Sequence, residues 1–430
     1  MGNLSYEKQL AEQEINIIEY LCLAAEEEYN SAREAGSEFL LYYEMELSLW
    51  RSARDAHKNG KKLVLYAGSI PLELLRSSSC VPINIDFAEI RLAGAAEHAR
   101  KLIYAAEKIL PDCFCSMAKT MLGTAELRRL GLEPDAFIYA PNECDASKYA
   151  YTFVQKSLDL PCFEIDVPKQ KNPESLGYVA DQLERMQDFL AELTGTKADE
   201  EEFSECISRT NRSYELMEKC AELRRETPCP LPGNLLVKNG YGSVMACLPE
   251  TVAFLEEELE LGLKAVSAGK SSCKHGEKHR AAFIQNMLWS SGEVTDWLED
   301  EYGCACVIDA FGLVANRYFE RPDDKRDCLI AMADRMRGRA SLHGVSWSGA
   351  QILEHVDRIF SEYQTDVSIF AGHVGCRQTW SAVRMVSEFI HEKYGIPTLE
   401  LALDGIDMKY KPIADIKREL SEYMDTVVCK

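Results

Sequence analysis

Sixteen cysteines punctuate this 430-residue chain, and four of them stand where short apolar runs give way to helical patterns. Cys113 and Cys115 close the run PDCFC, Cys144 follows AFIYAPNE, and Cys376 follows VSIFAGHVG. A helix beginning just after a cysteine favours thiolate over thiol. Thiolates converging from strand ends suit a soft metal site, either zinc or iron–sulfur. The paired C-x₂-C spacing usual for zinc is absent. The C-x-C pairs Cys113/Cys115 and Cys304/Cys306 do not replace it, because one member of such a pair on a strand can simply be core. In a reducing compartment structural disulfides are not expected, and most of the other cysteines read as small buried hydrophobes.

The elements that would position these thiols are legible as periodicities. Residues 1–60 read as N-terminal helices, closed by Gly60. Residues 61–170 alternate helices with the strand candidates KLVLYAG, VPINID, DCFC, AFIYAP and CFEIDV, the signature of a largely parallel α/β domain. Residues 171–277 turn mostly helical and are broken by PCPLPGN, residues 228–234. From 278 to 430 the alternation returns with AAFIQNML, CACVIDAF, VSIFAGHVGC and TLELALD. The expected architecture is α/β: two parallel-sheet, flavodoxin-like domains facing each other, with an N-terminal helical segment and a helical insertion. Asp135-AFIYAPNE-Cys144 and Asp366-VSIFAGHVG-Cys376 echo each other: acidic residue, apolar strand, cysteine, helix, then proline before the next strand. That echo points to duplication. In open α/β sheets ligands sit beyond the carboxyl ends of strands, where both cysteines fall.

Composition narrows the class. With 48 basic and 70 acidic residues the formal charge is −22, which argues against nucleic acid or an anionic membrane as partner. No apolar run is long enough for a membrane span, and the charged N-terminus lacks a signal-peptide core. A cytoplasmic protein is expected.

Beyond spacing, the motifs carry a resemblance. CSMAKTMLG resembles the C-x-x-A-[RK]-T-x-x-G segment of the large subunits of 2-hydroxyacyl-CoA dehydratases. PDAFIYAPNECDASKYAYTFVQKSLDLPCFEID, EELELGLKAVSAGKSSCKHGEKHR, DVSIFAGHVGCRQTW and YGIPTLELALDGIDMKYK are similar to later blocks of that family, so the resemblance runs from about Lys62 to Met424. It implies a 4Fe–4S cluster held by Cys115, Cys144 and Cys376, with one iron lacking a protein ligand and able to accept a substrate oxygen. It also implies an anaerobic, radical dehydration of an acyl-CoA, started by an ATP-hydrolysing iron–sulfur activator that injects one electron. The partner would be a second homologous subunit or a copy of this chain. Three alternatives stay open: a benzoyl-CoA-reductase-like enzyme, a double-cubane-type reductase, or a non-catalytic subunit that relays electrons.

The sequence departs from the family pattern in places that bear on dehydration. Where members have C-N-N-I-C, this chain reads PNEC and keeps only Cys144. Where the larger subunits carry a serine and a glutamate, it has Gly68, with Ser69 adjacent, and Asp86. The terminal D-x-R block appears as Asp407-Met408-Lys409. Asp86 is expected as a proton shuttle, against the alternative of a helix cap; Ser69 as a substrate contact, against a turn residue; and His373 as a group orienting substrate or bonding the cluster, against a core histidine. Lys270, Lys274, Lys278 and Arg280, with His275 and His279, form a basic island for CoA phosphates or a solvated helix end. SAGKSS lacks the leading glycine and strand of a phosphate-binding loop. Cys304 and Cys306 are expected in the core.

Overall fold

A computed structural model describes residues 8–10, 12, 16–126, 134–142, 144–170, 172–285, 292–309, 324–340 and 349–430. The chain divides into two compact units: Met1–Ser213 with Val244–Phe254 and Arg317–Ala340, and Tyr214–Ser243 with Leu255–Asn316 and Ser341–Lys430.

Each unit holds a four-stranded, all-parallel sheet. In the first unit β1 (Lys62–Ala67), β2 (Cys80–Asn84), β3 (Ala136–Tyr139) and β4 (Cys162–Glu164) lie in the order β2-β1-β3-β4. In the second, β5 (His279–Gln285), β6 (Cys304–Asp309), β7 (Val367–His373) and β8 (Thr398–Leu403) lie in the order β6-β5-β7-β8. The two orders are the same permutation, as duplication predicts. In each sheet the strand order reverses between the first and third strands, the switch point where α/β proteins bind ligands.

The central strands are apolar without alternation because helices cover both faces. Leu63–Ala67 of the central strand β1 is buried, and so is the whole of β6, Cys304–Asp309, at the edge of the second sheet. On one face of the first sheet, Val64, Tyr66 and Ile138 pack with Val179, Leu183 and Met186 of helix Pro173–Thr194, and with Leu329, Met332 and Met336 of helix Lys325–Ala340. The first of these helices starts with a reciprocal Asn172–Ser175 capping box and Pro173, and it ends at Gly195 with φ 74°. The second is tied in by the buried Arg335–Glu73 pair at 2.6 Å and by Arg337 donating to Ser175 Oγ at 2.8 Å. In the second unit Ala282, Ile284, Val307 and Phe370 pack with Ile359, Phe360, Val386 and Ile390.

The acidic residues of the echo are clamps at the amino ends of the sheets. Asp135, just before β3, accepts the amide of Leu63 in β1 at 2.8 Å. Asp366, just before β7, accepts the amide of Arg280 in β5 at 2.6 Å. Each carboxylate also holds an imidazole, His57 at 2.8 Å and His279 at 3.0 Å.

One expected strand is absent. DCFC is a turn, in which the Phe114 amide donates to the Pro111 carbonyl at 3.0 Å. Proline and aspartate open the segment, and helices Ala96–Ala106 and Ser116–Glu126 flank it, so it has no room for a ladder. The ends of AAFIQNML and CACVIDAF, and much of the first sixteen residues, lie outside the described residues. Among the described residues no helix is long and apolar enough to cross a membrane.

Candidate functional site

Cys115, Cys144 and Cys376 share one local structure. Each stands immediately before a helix, Ser116–Glu126, Asp145–Leu158 and Arg377–Tyr394 respectively. In each case the cysteine carbonyl accepts the first helical amide, from Lys119 at 3.0 Å, Lys148 at 3.1 Å and Trp380 at 3.3 Å. All three are therefore N-cap residues, facing the positive end of a helix dipole. The Cys144 sulfur accepts the Ser147 amide at 3.2 Å, taking the place of a capping oxygen. All three are partly exposed, whereas ten other cysteines are buried; Cys162 is also partly exposed, but it lies within edge strand β4 rather than at a helix cap, and burial pushes its thiol up to about 11.

The motif around Cys115 is explained residue by residue. Lys119 is buried and its ammonium bonds Glu107 at 2.8 Å and the Asp112 carbonyl at 2.6 Å, which fixes the loop leading to the cysteine. Thr120 returns its hydroxyl to the Met117 carbonyl at 2.8 Å. A Cβ on Gly123 would lie 2.1 Å from the Leu102 carbonyl oxygen, so only glycine lets the two helices touch. Around Cys376, a Cβ on Gly372 would meet the Trp380 ring at 2.5 Å. Trp380 donates its indole N–H to the His373 carbonyl at 3.0 Å. His373 ends β7, and its Nδ1 accepts the Gly405 amide at 3.2 Å, so in the neutral ring the proton sits on Nε2. The Asp404 carboxylate is farther from Nδ1, at 3.9 Å, and instead accepts the amides of Ile406 and Asp407 at 2.9 and 2.8 Å.

In the first unit the carboxyl edge of the sheet gathers Ser69 after β1, Asp86 after β2 and Cys144 after β3. The expected strand VPINID stops at Asn84, which is the helix cap and accepts the Phe87 amide at 2.7 Å. Asp86 is thus free of the capping role. Its carboxylate accepts the Tyr151 hydroxyl, at 2.9 and 3.0 Å to the two oxygens, and the Gly68 amide at 3.3 Å. Tyr151 lies on the helix that Cys144 caps, so one hydrogen bond joins that helix to Asp86.

Gly68 has φ 73°, and a Cβ there would stand 2.4 Å from the Ala140 carbonyl oxygen. A serine at 68 is excluded by both facts, and the hydroxyl at this strand end belongs to Ser69, which is buried. Beneath Asp86, Glu89 is fully buried and accepts the Thr124 hydroxyl at 3.1 Å. Burial pushes its carboxyl up to about 8, with Asp86 adding to the rise.

Part of the basic island is not a phosphate site. Arg280 is buried and committed to the carbonyls of Tyr363 and Arg224, at 2.8 and 2.7 Å, and to Glu277 at 2.7 Å. Lys270, Lys274, Lys278 and His275 remain exposed, while His279 belongs to Asp366. Cys304 and Cys306 are core residues whose thiols burial raises far above the ordinary value. Cys113 is exposed in the turn before Cys115. Among the described residues no three His, Cys, Asp or Glu side chains stand together as ligands of a single ion. The three capping thiols are soft donors of the kind iron–sulfur clusters use, and thiolates of one cube bind different irons, so they need not meet at a point.

The tyrosine that meets Asp86 and the buried Glu89 were not singled out in the sequence. KYAYTF places Tyr151 on an amphipathic helix with two other aromatics, and nothing in that pattern tells which of them turns inward.

Two parallel α/β units, with cysteines capping helices beyond the strand ends, define a class of thiol-rich α/β enzyme subunit. The family model described as 2-hydroxyglutaryl-CoA dehydratase, D-component, matches residues 68–425, and the chain belongs to that family of 2-hydroxyacyl-CoA dehydratase subunits, which are hydro-lyases. It is 26% identical over 390 residues to lactoyl-CoA dehydratase subunit alpha of Anaerotignum propionicum, covering 83% of this chain and 88% of that one. It is 23% identical to the (R)-phenyllactyl-CoA dehydratase alpha subunit of Clostridium sporogenes, over 61% of this chain and 68% of the relative. A third relative, (R)-2-hydroxyglutaryl-CoA dehydratase subunit alpha of Acidaminococcus fermentans, is 28% identical over 36% of this chain and 34% of its own length.

Proposed function

We propose that this chain is the iron–sulfur subunit of an ATP-activated, radical 2-hydroxyacyl-CoA dehydratase, removing water from a 2-hydroxyacyl-CoA to give an enoyl-CoA. Cys115, Cys144 and Cys376 would hold one 4Fe–4S cluster. The observation that carries this reading is that all three are partly exposed helix N-caps. Such a position favours the thiolate a cluster needs. When bound, a cluster of this type passes single electrons and offers an iron as Lewis acid to a substrate oxygen.

The chain's own residues supply the proton chemistry. A hydroxyl that leaves as water needs a proton, and Asp86 is the carboxyl group at the strand end able to hold one. The Tyr151 hydroxyl and the Gly68 amide fix both of its oxygens. Ser69, two residues beyond β1, is a candidate contact for substrate. His373, locked through Nδ1, would present Nε2–H as a donor. The exposed Lys270, Lys274 and Lys278 are candidates for the CoA phosphates. The alpha-subunit names of the relatives support a partner subunit; that partner would be a second homologous subunit or a copy of this chain, and the activator an ATP-hydrolysing iron–sulfur protein.

The test is anaerobic purification with iron and sulfide analysis, followed by assay with partner subunit, activator, ATP and reductant. About four irons per chain and dehydration of a 2-hydroxyacyl-CoA are expected. Reduction of an unsaturated or aromatic CoA thioester instead would replace the dehydratase reading by a reductase.

A further inference from the structure

The two Asp–His clamps at the amino ends of the sheets differ in one respect. In the second unit the imidazole has something on its other nitrogen. His279 Nδ1 bonds Asp366 Oδ2 at 3.0 Å, and His279 Nε2 lies 3.7 Å from the sulfur of Cys429. A nucleophile, a base touching it and a carboxylate orienting the base are the parts of an activated thiol. The tautomer follows from the partners: Nδ1–H donates to the Asp366 carboxylate, so Nε2 offers its lone pair to the thiol.

Three observations make this more than a chance neighbour. The Asp–His pair is built by the strand register, since Asp366 also takes the β5 amide of Arg280, so the ring is held before any thiol arrives. The thiol is then delivered by an anchored segment. Tyr423 donates to the Pro397 carbonyl at 2.6 Å, Met424 is fully buried, and the Cys429 amide returns to the Met424 carbonyl at 2.9 Å. Finally, Cys429 is exposed, which among the sixteen cysteines is true otherwise of Cys113. The site lies at the amino end of the second sheet, whereas His373 and Cys376 lie at its carboxyl end.

We propose that Cys429, His279 and Asp366 form a reactive-thiol site that captures low-molecular-weight disulfides as a mixed disulfide on Cys429. The thiol proton passes to His279 Nε2, and the thiolate attacks one sulfur of the disulfide. A new S–S bond forms on Cys429 as the old one breaks. The departing sulfur is reduced to a thiolate and takes the proton from His279, while the Cys429 sulfur is oxidised. The disulfide is the oxidant, and nothing else is consumed.

The test uses the whole chain, reduced, freed of small thiols and treated anaerobically with oxidised glutathione. Intact mass and peptide mapping follow each site. Cys429 should react roughly tenfold or more faster than Cys113, the internal reference for an exposed thiol on the same molecule. His279→Gln should slow Cys429 by a similar factor and leave the Cys113 rate unchanged; Cys429→Ser should remove the fast adduct. Equal rates at the two cysteines of the unaltered protein would overturn the proposal without any variant. An unchanged Cys429 rate in a folded His279→Gln protein would overturn the role of the imidazole, and with it the site.

Discussion

The hydroxyl of Tyr151 bridges both oxygens of Asp86, at 2.9 and 3.0 Å, and so couples the helix capped by Cys144 to the strand-end carboxylate. Tyr151 is itself buried, edge-on to Phe137. It therefore acts on Asp86 from a rigid position. Tyr151→Phe keeps the ring packing and removes one donor. A carboxylate that loses a donor is less favoured as an anion. Turnover should fall, the alkaline limb of its pH profile, where a required acid loses its proton, should move to higher pH, and iron content should stay the same. A profile that only drops, with no shift, would assign Tyr151 to packing.

Asp86→Asn removes the acid itself. It should retain iron and lower turnover by ~10²-fold or more, the usual scale for a lost acid–base group. Full activity in this variant, beside an inactive Cys115→Ser protein, would move the proton role elsewhere and leave the cluster assignment standing.

Serine replacement of Cys115, Cys144 or Cys376 should each strip or destabilise the cluster, read as iron and sulfide per chain and as lost visible absorption. Cys304→Ala and Cys306→Ala are the controls. Both thiols are buried and held neutral, so these changes should lower thermal stability, by about 1–3 kcal/mol for a small core cavity, while iron stays bound. Full iron in all three serine variants would sink the ligand set.

The strand end after β1 offers a contrast between neighbours. Gly68→Ser forces a side chain into a left-handed backbone and into the Ala140 carbonyl, 2.4 Å from where its Cβ would sit. It should fail to fold or lose several degrees of thermal stability. Ser69→Ala should fold and show its effect in substrate KM or turnover. If Gly68→Ser folds as well as the unaltered chain, the hydroxyl position at this strand end is open again.

All eight strands among the described residues overlap the apolar runs read from the sequence; β1, β2, β3, β5, β6 and β7 do so plainly because buried parallel strands read as near-continuous apolar runs, while β4 and β8 are only partly buried. The cysteines of β6 were legible as core for the same reason. DCFC misled because a short apolar stretch beside a proline looks the same in a turn as in a strand. Val244–Phe254 and Arg317–Ala340 join the first unit through tertiary packing such as Arg335 on Glu73, which no local pattern announces. The same holds for the site. Cysteines before helices could be read from spacing, and Asp86 from a strand end. The Tyr151 bond to Asp86 spans 65 positions and follows from how two helices pack.

Glu89 gives the molecule a pH dependence whose sign can be worked out. Its carboxyl is buried and raised from 4.5 to about 8, first by burial and further by the charge of Asp86, with bonds from Thr120 and Thr124 opposing the rise. Between those pH values the native state keeps a proton that the unfolded chain has released. Stability therefore falls as pH rises through that window; the contribution is present in full below the unfolded value and lost above about 8. Glu258 and Glu299, each raised to about 7 mainly by burial, slope the same way, so the comparison must be with a variant rather than with pH alone. Glu89→Gln replaces the carboxyl by a neutral amide that still accepts from Thr124. Urea midpoints of the two proteins should lie close together near pH 5 and diverge as pH rises, the variant gaining on the order of a few kcal/mol relative to the unaltered chain by pH 9. Parallel stability curves across that range would show that Glu89 titrates in the folded protein as it does in the unfolded chain.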